Sequence, residues 1–351
     1  MLPDNPENIP IHFIVSTGRT GSTLLSTMLN AHPEILSISE QPFTLNLIDG
    51  YRKITEWNTD TINQYVNDFN LFSTDKISAQ FSSIDELKSN IRGYNKKHNF
   101  KSVLNLSFLS FYPNKEKNKI KIFVAKELIL HTQIKKITET YPNAKFILLT
   151  REPRDNVQIK INRAKRRNAE YNIKRFVAAW KIVYSLLYFD LKKYASKRFV
   201  VVRYEDLVSK SEFVLKEICN FLDINFSEEM LNYDLKNKEE FIRKKDKVSE
   251  SLLNHLERDH QGLLIKPSAE KIGIWKKEMS QSLAEKIWNE CSELSLIFGY
   301  QNSDEIHNAK NKFGLNFKFF KIRYYLYNIT RPKLYFLSPF WMRRLYRKLR
   351  Y

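Results

Sequence analysis

Cysteine is nearly absent. The 351 residues contain two, Cys219 and Cys291, both within apolar helical patterns, so neither a disulfide framework nor a Cys-rich metal site can be built, and both read as small core residues. Long apolar runs are missing too, since no segment offers the ~18 uncharged apolar residues of a membrane span. The opening MLPDNPENIP lacks the basic region and apolar core of a secretory leader. A cytoplasmic, non-spanning protein is expected. Acid is missing from the end of the chain: from Lys310 onward there are twelve Lys or Arg and no Asp or Glu. Of the net +19, this leaves about +7 on the first 309 residues, so most of the excess lies in a tail. Such a balance draws nucleotides, anionic lipid head groups or nucleic acid and says nothing about fold. The length allows one large or two ordinary domains with a sizeable core.

Residues 11–25, IHFIVSTGRTGSTLL, read as an apolar strand entering a Gly/Ser/Thr/Arg turn, with an amphipathic helix directly after it. Unpaired N–H groups at the helix start, hydroxyls from Ser22 and Thr23 and the Arg19 guanidinium would together cradle an anion. The lysine of the nucleoside-triphosphatase pattern G-x-x-x-x-G-K-[ST] is lacking: Gly21 is followed by Ser22, and Ser16 stands where the first Gly belongs. ATP and GTP chemistry is therefore disfavoured. The plainer alternative is an ordinary strand-to-helix turn with Thr17 or Thr20 as N-cap.

Strand and helix signals then alternate. A helix is predicted over about 22–31 and is stopped by Pro33. Strands are predicted at IKIFVA (120–125), KFILLT (145–150) and RFVVVRYEDL (198–207), and helices over 133–141, 155–194 with one interruption, 212–222 and 281–298, the last ended by Gly299. The segment 44–118 is polar, aromatic and irregularly periodic, with helix-like patches near 54–69 and 84–94, and reads as a variable insertion. The charge-dense run Lys236–Lys247 reads as a solvated helix or loop. The fold class expected is α/β, with a central parallel sheet flanked by helices. Ligands of such sheets gather at the carboxyl ends of the strands. A second anion-binding junction is found there, Arg151 with Pro153, Arg154 and Asp155 at a helix start; a surface ion pair of Arg151 with Glu152 or Asp155 is the alternative.

GRTGSTLL followed by AHPEI and SEQPF, then FILLTREPRDNV, VVRYEDLV and IGIWKKEMS, in this order over residues 11–300, resemble the PAPS-dependent sulfotransferases. The resemblance implies a P-loop-like sulfotransferase domain over 1–300 and the co-substrate 3′-phosphoadenosine 5′-phosphosulfate, with no metal required. By position, Arg19 corresponds to the cation on the bridging oxygen of the departing sulfuryl group, and Thr20, Gly21, Ser22 and Thr23 to donors on the 5′-phosphosulfate. Arg151 corresponds to the arginine on the 3′-phosphate, Tyr204 to a residue beside the adenine, with a core strand aromatic as the alternative, and Lys271 and Gly273 to a further 3′-phosphate loop. Trp275 reads as a packing residue. One departure is plain: the family's serine eight residues after the arginine is Ile159 here, leaving Asn156, Lys160 or Arg163 as substitutes.

For the base that takes the acceptor's proton, the resemblance points to Glu40 in SISEQPF, with a solvated loop acid as the alternative. The histidine that serves other members is Leu128 here, two residues after Lys126. Lys126 would reach the leaving oxygen or the acceptor, or else pair with Glu127. His131 is a weaker candidate base. Residues 44–118 and 225–262 would shape the acceptor pocket, for a hydroxyl on a carbohydrate, lipid or other small molecule. Two other readings are an ATP-dependent small-molecule kinase, against which the missing lysine counts, and a non-catalytic membrane- or nucleic-acid-binding protein on the same fold.

The tail, 301–351, interleaves aromatics with Lys and Arg, as membrane-surface helices do. Nucleic-acid binding draws on the same mixture, although no nucleic-acid partner is expected, and the aromatics could simply pack on the domain. Pro332 and Pro339 argue against one continuous helix. The expectation is peripheral attachment to an anionic membrane surface.

Overall fold

The computed structural model describes residues 2–73, 81–112, 114–234, 266–301 and 313–350. Among these residues, β1 (Ile11–Val15), β2 (Ile35–Ser39), β3 (Ile122–Lys126), β4 (Phe146–Thr150) and β5 (Phe199–Arg203) form an all-parallel sheet in the order β2-β3-β1-β4-β5. The strands are rich in β-branched and aromatic residues and carry no strict alternation, because both faces are covered. Phe13 and Val15 enter one core cluster and Ile14 the other.

Helices α1 (Ser22–Ala31), α9 (Tyr204–Ser209) and α10 (Ser211–Phe221) cover the Ile14 face through Leu25, Met28, Leu29, Leu207, Leu215 and Ile218. The opposite face carries α2 (Phe43–Tyr51), α3 (Thr59–Phe72), α4 (Ile84–Arg92), α5 (Phe100–Leu109), α6 (Ile134–Thr140), α7 (Pro153–Arg166), α8 (Ile173–Tyr194) and α12 (Gln281–Ile297). A short α11 (Trp275–Glu278) precedes α12. Cys219 and Cys291 are buried free thiols, one in each core. Because β1 sits between β3 and β4, the loops after these three strands open at one edge of the sheet, where the chain reverses its winding direction.

Several elements differ from the sequence-based expectation. The stretch ILSIS forms β2, paired from Ile35↔Ile122 to Ser39↔Lys126. Within 44–118, α3 and α4 fall on the expected helix-like patches, whereas α2 and α5 are additional, and all four enter the main core, with Phe43 and Phe69 rings 4.6 Å apart and Phe108 4.9 Å from Phe123 of β3. α2 and α5 are buried nearly all round, so they carry no polar face for a helical period to reveal. β5 ends at Arg203, which places Tyr204 at the first helical position of α9. The charged run Lys236–Lys247 and the acceptor-pocket residues 235–262 lie outside the described residues.

The tail packs on the helical layer. α13 (Leu315–Tyr325) continues through a π-helical turn, Leu326–Thr330, into α14 (Arg331–Leu337), and α15 (Phe340–Arg350) follows. Pro332 therefore does not break the chain: it lies in the first turn after the widened π segment, where its missing N–H costs little. Pro339 marks the true interruption, between α14 and α15.

Candidate active site

The loop after β1 is bent by two left-handed residues, Arg19 (φ 69°) and Gly21 (φ 86°). Gly21 is the N-cap of α1 and no side chain caps the helix, so neither Thr17 nor Thr20 plays that part and the first-turn amides face the loop without a side-chain acceptor. The Thr20 hydroxyl instead turns inward and donates to the Thr17 carbonyl at 3.1 Å, leaving Thr20 fully buried. Ser22 is buried and Thr23 half-buried. From α7, the Asn156 amide donates to the carbonyls of Gly18 (3.1 Å) and Arg19 (3.3 Å), fixing the loop from behind. A Cβ added at Gly21 would fall 2.5 Å from Cδ2 of Tyr204, so the aromatic ring closes directly on the cradle.

At one end of this cradle lie Lys126 and Glu40, brought side by side by the pairing of β2 with β3. The Glu40 N–H donates to the Lys126 carbonyl at 2.7 Å, and a left-handed Glu40 (φ 56°) turns its side chain back over the strand end. Lys126 Nζ then lies 2.5 Å from Glu40 Oε1 and donates to the Thr23 hydroxyl at 3.2 Å. The lysine is 3% exposed and the glutamate 33%, so the carboxylate is the solvent-facing member. The expected alternative, Lys126 with Glu127, does not form as an ion pair. Glu127 is buried, receives the Gln41 N–H and the Thr44 hydroxyl (3.4 Å), and burial pushes its carboxyl up to about 8. His131 sits beyond it in a 3-10 turn, Leu128–Thr132.

At the other end is Arg151. It is not a surface residue: it is 3% exposed, its guanidinium donates to the Lys271 carbonyl at 2.6 Å, and its guanidinium carbon lies over Tyr204. Asp155 receives the N–H groups of Gly273 (2.7 Å) and Trp275 (3.1 Å), which ties the 266–275 loop to α7. Gly273, at φ 69°, thus spends its amide on Asp155. Glu152 caps α7 through the Asp155 N–H and pairs with Arg154, whose guanidinium carbon lies 3.8 Å from the ring centroid of the buried Trp275. The Lys271 amine is pushed down by burial and by the charges of Arg151, Arg166 and Arg19. Lys160 is pushed down by burial, with Arg19 acting in the same direction. The charges of Arg19 and Arg151 thus act on Lys271 in the same direction, an effect that an anion would relieve. Arg151 Nε is buried and makes no hydrogen bond among the described residues, leaving a donor for such an anion.

The structure gathers Arg19, Gly21, Ser22, Thr23, Glu40, Lys126, Arg151, Tyr204 and Lys271 along this sheet edge. Asn156, expected as a substitute for the missing serine, has its amide committed to the cradle loop, whereas Lys160 lies within electrostatic reach of Arg19. One contact and one residue escaped the sequence reading. Asp155 was placed at the helix start, but its bond to the Gly273 N–H acts across 118 positions, beyond any local pattern. Glu205 receives the Glu152 N–H (3.0 Å) and the Tyr300 hydroxyl (2.9 Å), bracing the loop that carries Arg151; its place in RYEDL was the available signal. No cluster of three or more His, Cys, Asp or Glu suited to a metal ion occurs among the described residues.

Residues 10–228 match the Sulfotransferase family. A Caenorhabditis briggsae protein provisionally named a protein-tyrosine sulfotransferase is 27% identical over 228 residues, 63% of this chain and 68% of that protein. Two solved sulfotransferase domains, from the curacin biosynthetic pathway and from the Synechococcus PCC 7002 olefin synthase, are 20% and 18% identical. They cover 84% and 86% of this chain and 99% of each domain, with TM-scores of 0.44 and 0.48.

Proposed function

The chain belongs to the sulfotransferase family, and from that membership we propose that it moves a sulfuryl group from 3′-phosphoadenosine 5′-phosphosulfate to an acceptor hydroxyl. The observation that carries this reading is that the two loops meet across one side chain: the Arg151 guanidinium, after β4, lies 4.1 Å from the Tyr204 ring, whose edge closes on Gly21, after β1. Two loops that each suit one phosphate-like group are thus held on either side of one aromatic ring, which supports a ligand with two separated anionic ends. Gly273 contributes by shaping the Lys271 loop.

The chemistry requires a base for the acceptor, positive charge on the leaving phosphate, and fixed in-line geometry. Glu40 takes the hydroxyl proton. The acceptor oxygen bonds to sulfur as the bond from sulfur to the phosphate oxygen breaks, and the electron pair leaves with the phosphate, where Arg19, Lys126 and the first amides of α1 meet it. Lys126 reaches both Glu40 and Thr23, so moving its ammonium toward the phosphate frees the carboxylate for the proton.

The acceptor we favour is a carbohydrate, a lipid or another small molecule. The Caenorhabditis briggsae relative supports a second reading, a tyrosine hydroxyl of a protein. Family membership does not favour the kinase or the non-catalytic binding module. We place the enzyme in the cytoplasm, held peripherally at a membrane. The deciding experiment is calorimetric titration with adenosine 3′,5′-bisphosphate, ADP and ATP in wild type and Arg151→Ala. The bisphosphate should bind most tightly, and its advantage should vanish in the variant; equal wild-type affinity for all three nucleotides overturns the reading.

A further inference from the structure

Helix α15, FWMRRLYRKLR, is amphipathic in the reverse of the usual sense. Phe340, Arg343, Arg344 and Arg347, spaced i, i+3, i+4 and i+7, lie on one face, and that face is turned inward. The Phe340 ring lies 5.6 Å from Phe72 and 5.9 Å from Tyr51. Arg343, 1% exposed, places Nη2 2.6 Å from Asp49 on α2, and Arg344 binds both carboxylate oxygens of Asp68 on α3, with Nε to Oδ1 at 2.7 Å. The opposite face presents Trp341 (63% exposed), Leu345 (51%) and Leu349 (79%), while α14 exposes Leu334 and Leu337 (80%). A soluble helix ordinarily turns such residues inward, and an exposed apolar face of this kind marks an interaction surface.

The charge of the tail selects the occupant. Lys318, Arg323, Arg331 and Lys348 are exposed on the same tail, which contains no acid beyond Glu305. A second copy of the chain would bring the same cations against these and add +19 to +19. An anionic bilayer supplies both an apolar phase for Trp341 and the leucines and negative head groups for the cations. α15 is 11 residues long, about 16 Å, and so can lie in the interface but not cross it. We propose that the outward face of α14–α15, centred on Trp341, Leu345 and Leu349, inserts into the head-group layer of an anionic membrane while the arginine face stays clamped to Asp49 and Asp68. This assignment rests on the peripheral location proposed above and is independent of the sulfuryl donor.

The test is co-sedimentation of the full chain with phosphatidylcholine vesicles, with and without phosphatidylserine, for wild type and Trp341→Ser/Leu345→Ser. Wild type should sediment with the anionic vesicles and be released by salt. The double variant, altered only on an exposed face, should bind them about tenfold more weakly or worse, with unchanged melting temperature and unchanged affinity for adenosine 3′,5′-bisphosphate. Unaltered vesicle binding by the variant overturns the proposal. So does a concentration-dependent wild-type dimer that the variant abolishes, since the face would then belong to a second copy. Loss of bisphosphate binding with vesicle binding intact would sink the donor assignment and leave this one standing.

Discussion

The guanidinium carbon of Arg151 lies 4.1 Å from the centroid of the Tyr204 ring, and the edge of that ring rests on Gly21. One aromatic side chain thus spaces the loops after β1 and β4. Tyr204→Phe keeps the ring and should bind adenosine 3′,5′-bisphosphate within about threefold of wild type. Tyr204→Ala removes the platform under Arg151 and should weaken binding roughly tenfold, the scale of a partly desolvated cation–π contact. Calorimetry on both variants checks the pair, and equal affinities would show that the ring only packs.

Gly21 admits no side chain. Its φ of 86° disfavours any L residue, and a Cβ would meet the Tyr204 ring at 2.5 Å. Gly21→Ala should cost about 1–3 kcal/mol in urea unfolding and impair nucleotide binding, whereas Gly18→Ala, which meets nothing within 4 Å, should be mild in both measurements.

Glu40→Gln keeps the size of the side chain but removes the proton acceptor. The turnover number should fall by about 10²–10⁴, while calorimetry shows bisphosphate affinity little changed. Near wild-type turnover with the true acceptor would remove Glu40 from the mechanism.

Burial raises the Glu127 carboxyl to about 8 in the folded protein, whereas in the unfolded chain it titrates near 4.3. Between these values the folded form holds the proton and the unfolded form has lost it, so stability falls as pH rises through the window and levels off above it. Glu152, raised by burial to about 7, acts with the same sign over a narrower range. Glu127→Gln retains an acceptor for the Gln41 N–H and should flatten the decline, gaining roughly 1–3 kcal/mol on wild type by pH 8.5. Melting curves from about pH 5 to 8.5 measure it; parallel wild-type and variant curves would show that Glu127 does not control the slope.

The parts of this molecule written locally were legible in the sequence. The turn after β1 and the REPRDN junction announce themselves because strand end, breaker and helix start lie within a few residues, and the parallel sheet follows from the alternation. Naming Glu40 and Lys126 was possible one at a time. Their pairing was not, since it depends on Ser39 standing opposite Lys126 in a strand, β2, that the sequence reading did not recognise. α2 and α5 escaped for the opposite reason to an ordinary helix, lacking a polar side. The inward arginines of α15 invert the usual rule that charge faces water, and only the acids on α2 and α3 explain them.

Those acids also set a schedule for folding. Asp49 and Asp68 find their arginines 294 and 276 positions later in the chain, whereas the sheet that positions Arg19 and Arg151 is complete by Arg203. On a ribosome, chain is made at about 5–20 residues per second, so α2 and α3 wait roughly 15 to 60 seconds with a half-finished polar surface after their own synthesis. The sheet edge that carries Arg19 and Arg151 can assemble during that interval, before Arg343 and Arg344 reach Asp49 and Asp68. Premature termination before Arg343 would release a chain whose acids on α2 and α3 are left without their guanidinium partners, the sort of species that quality-control proteases remove.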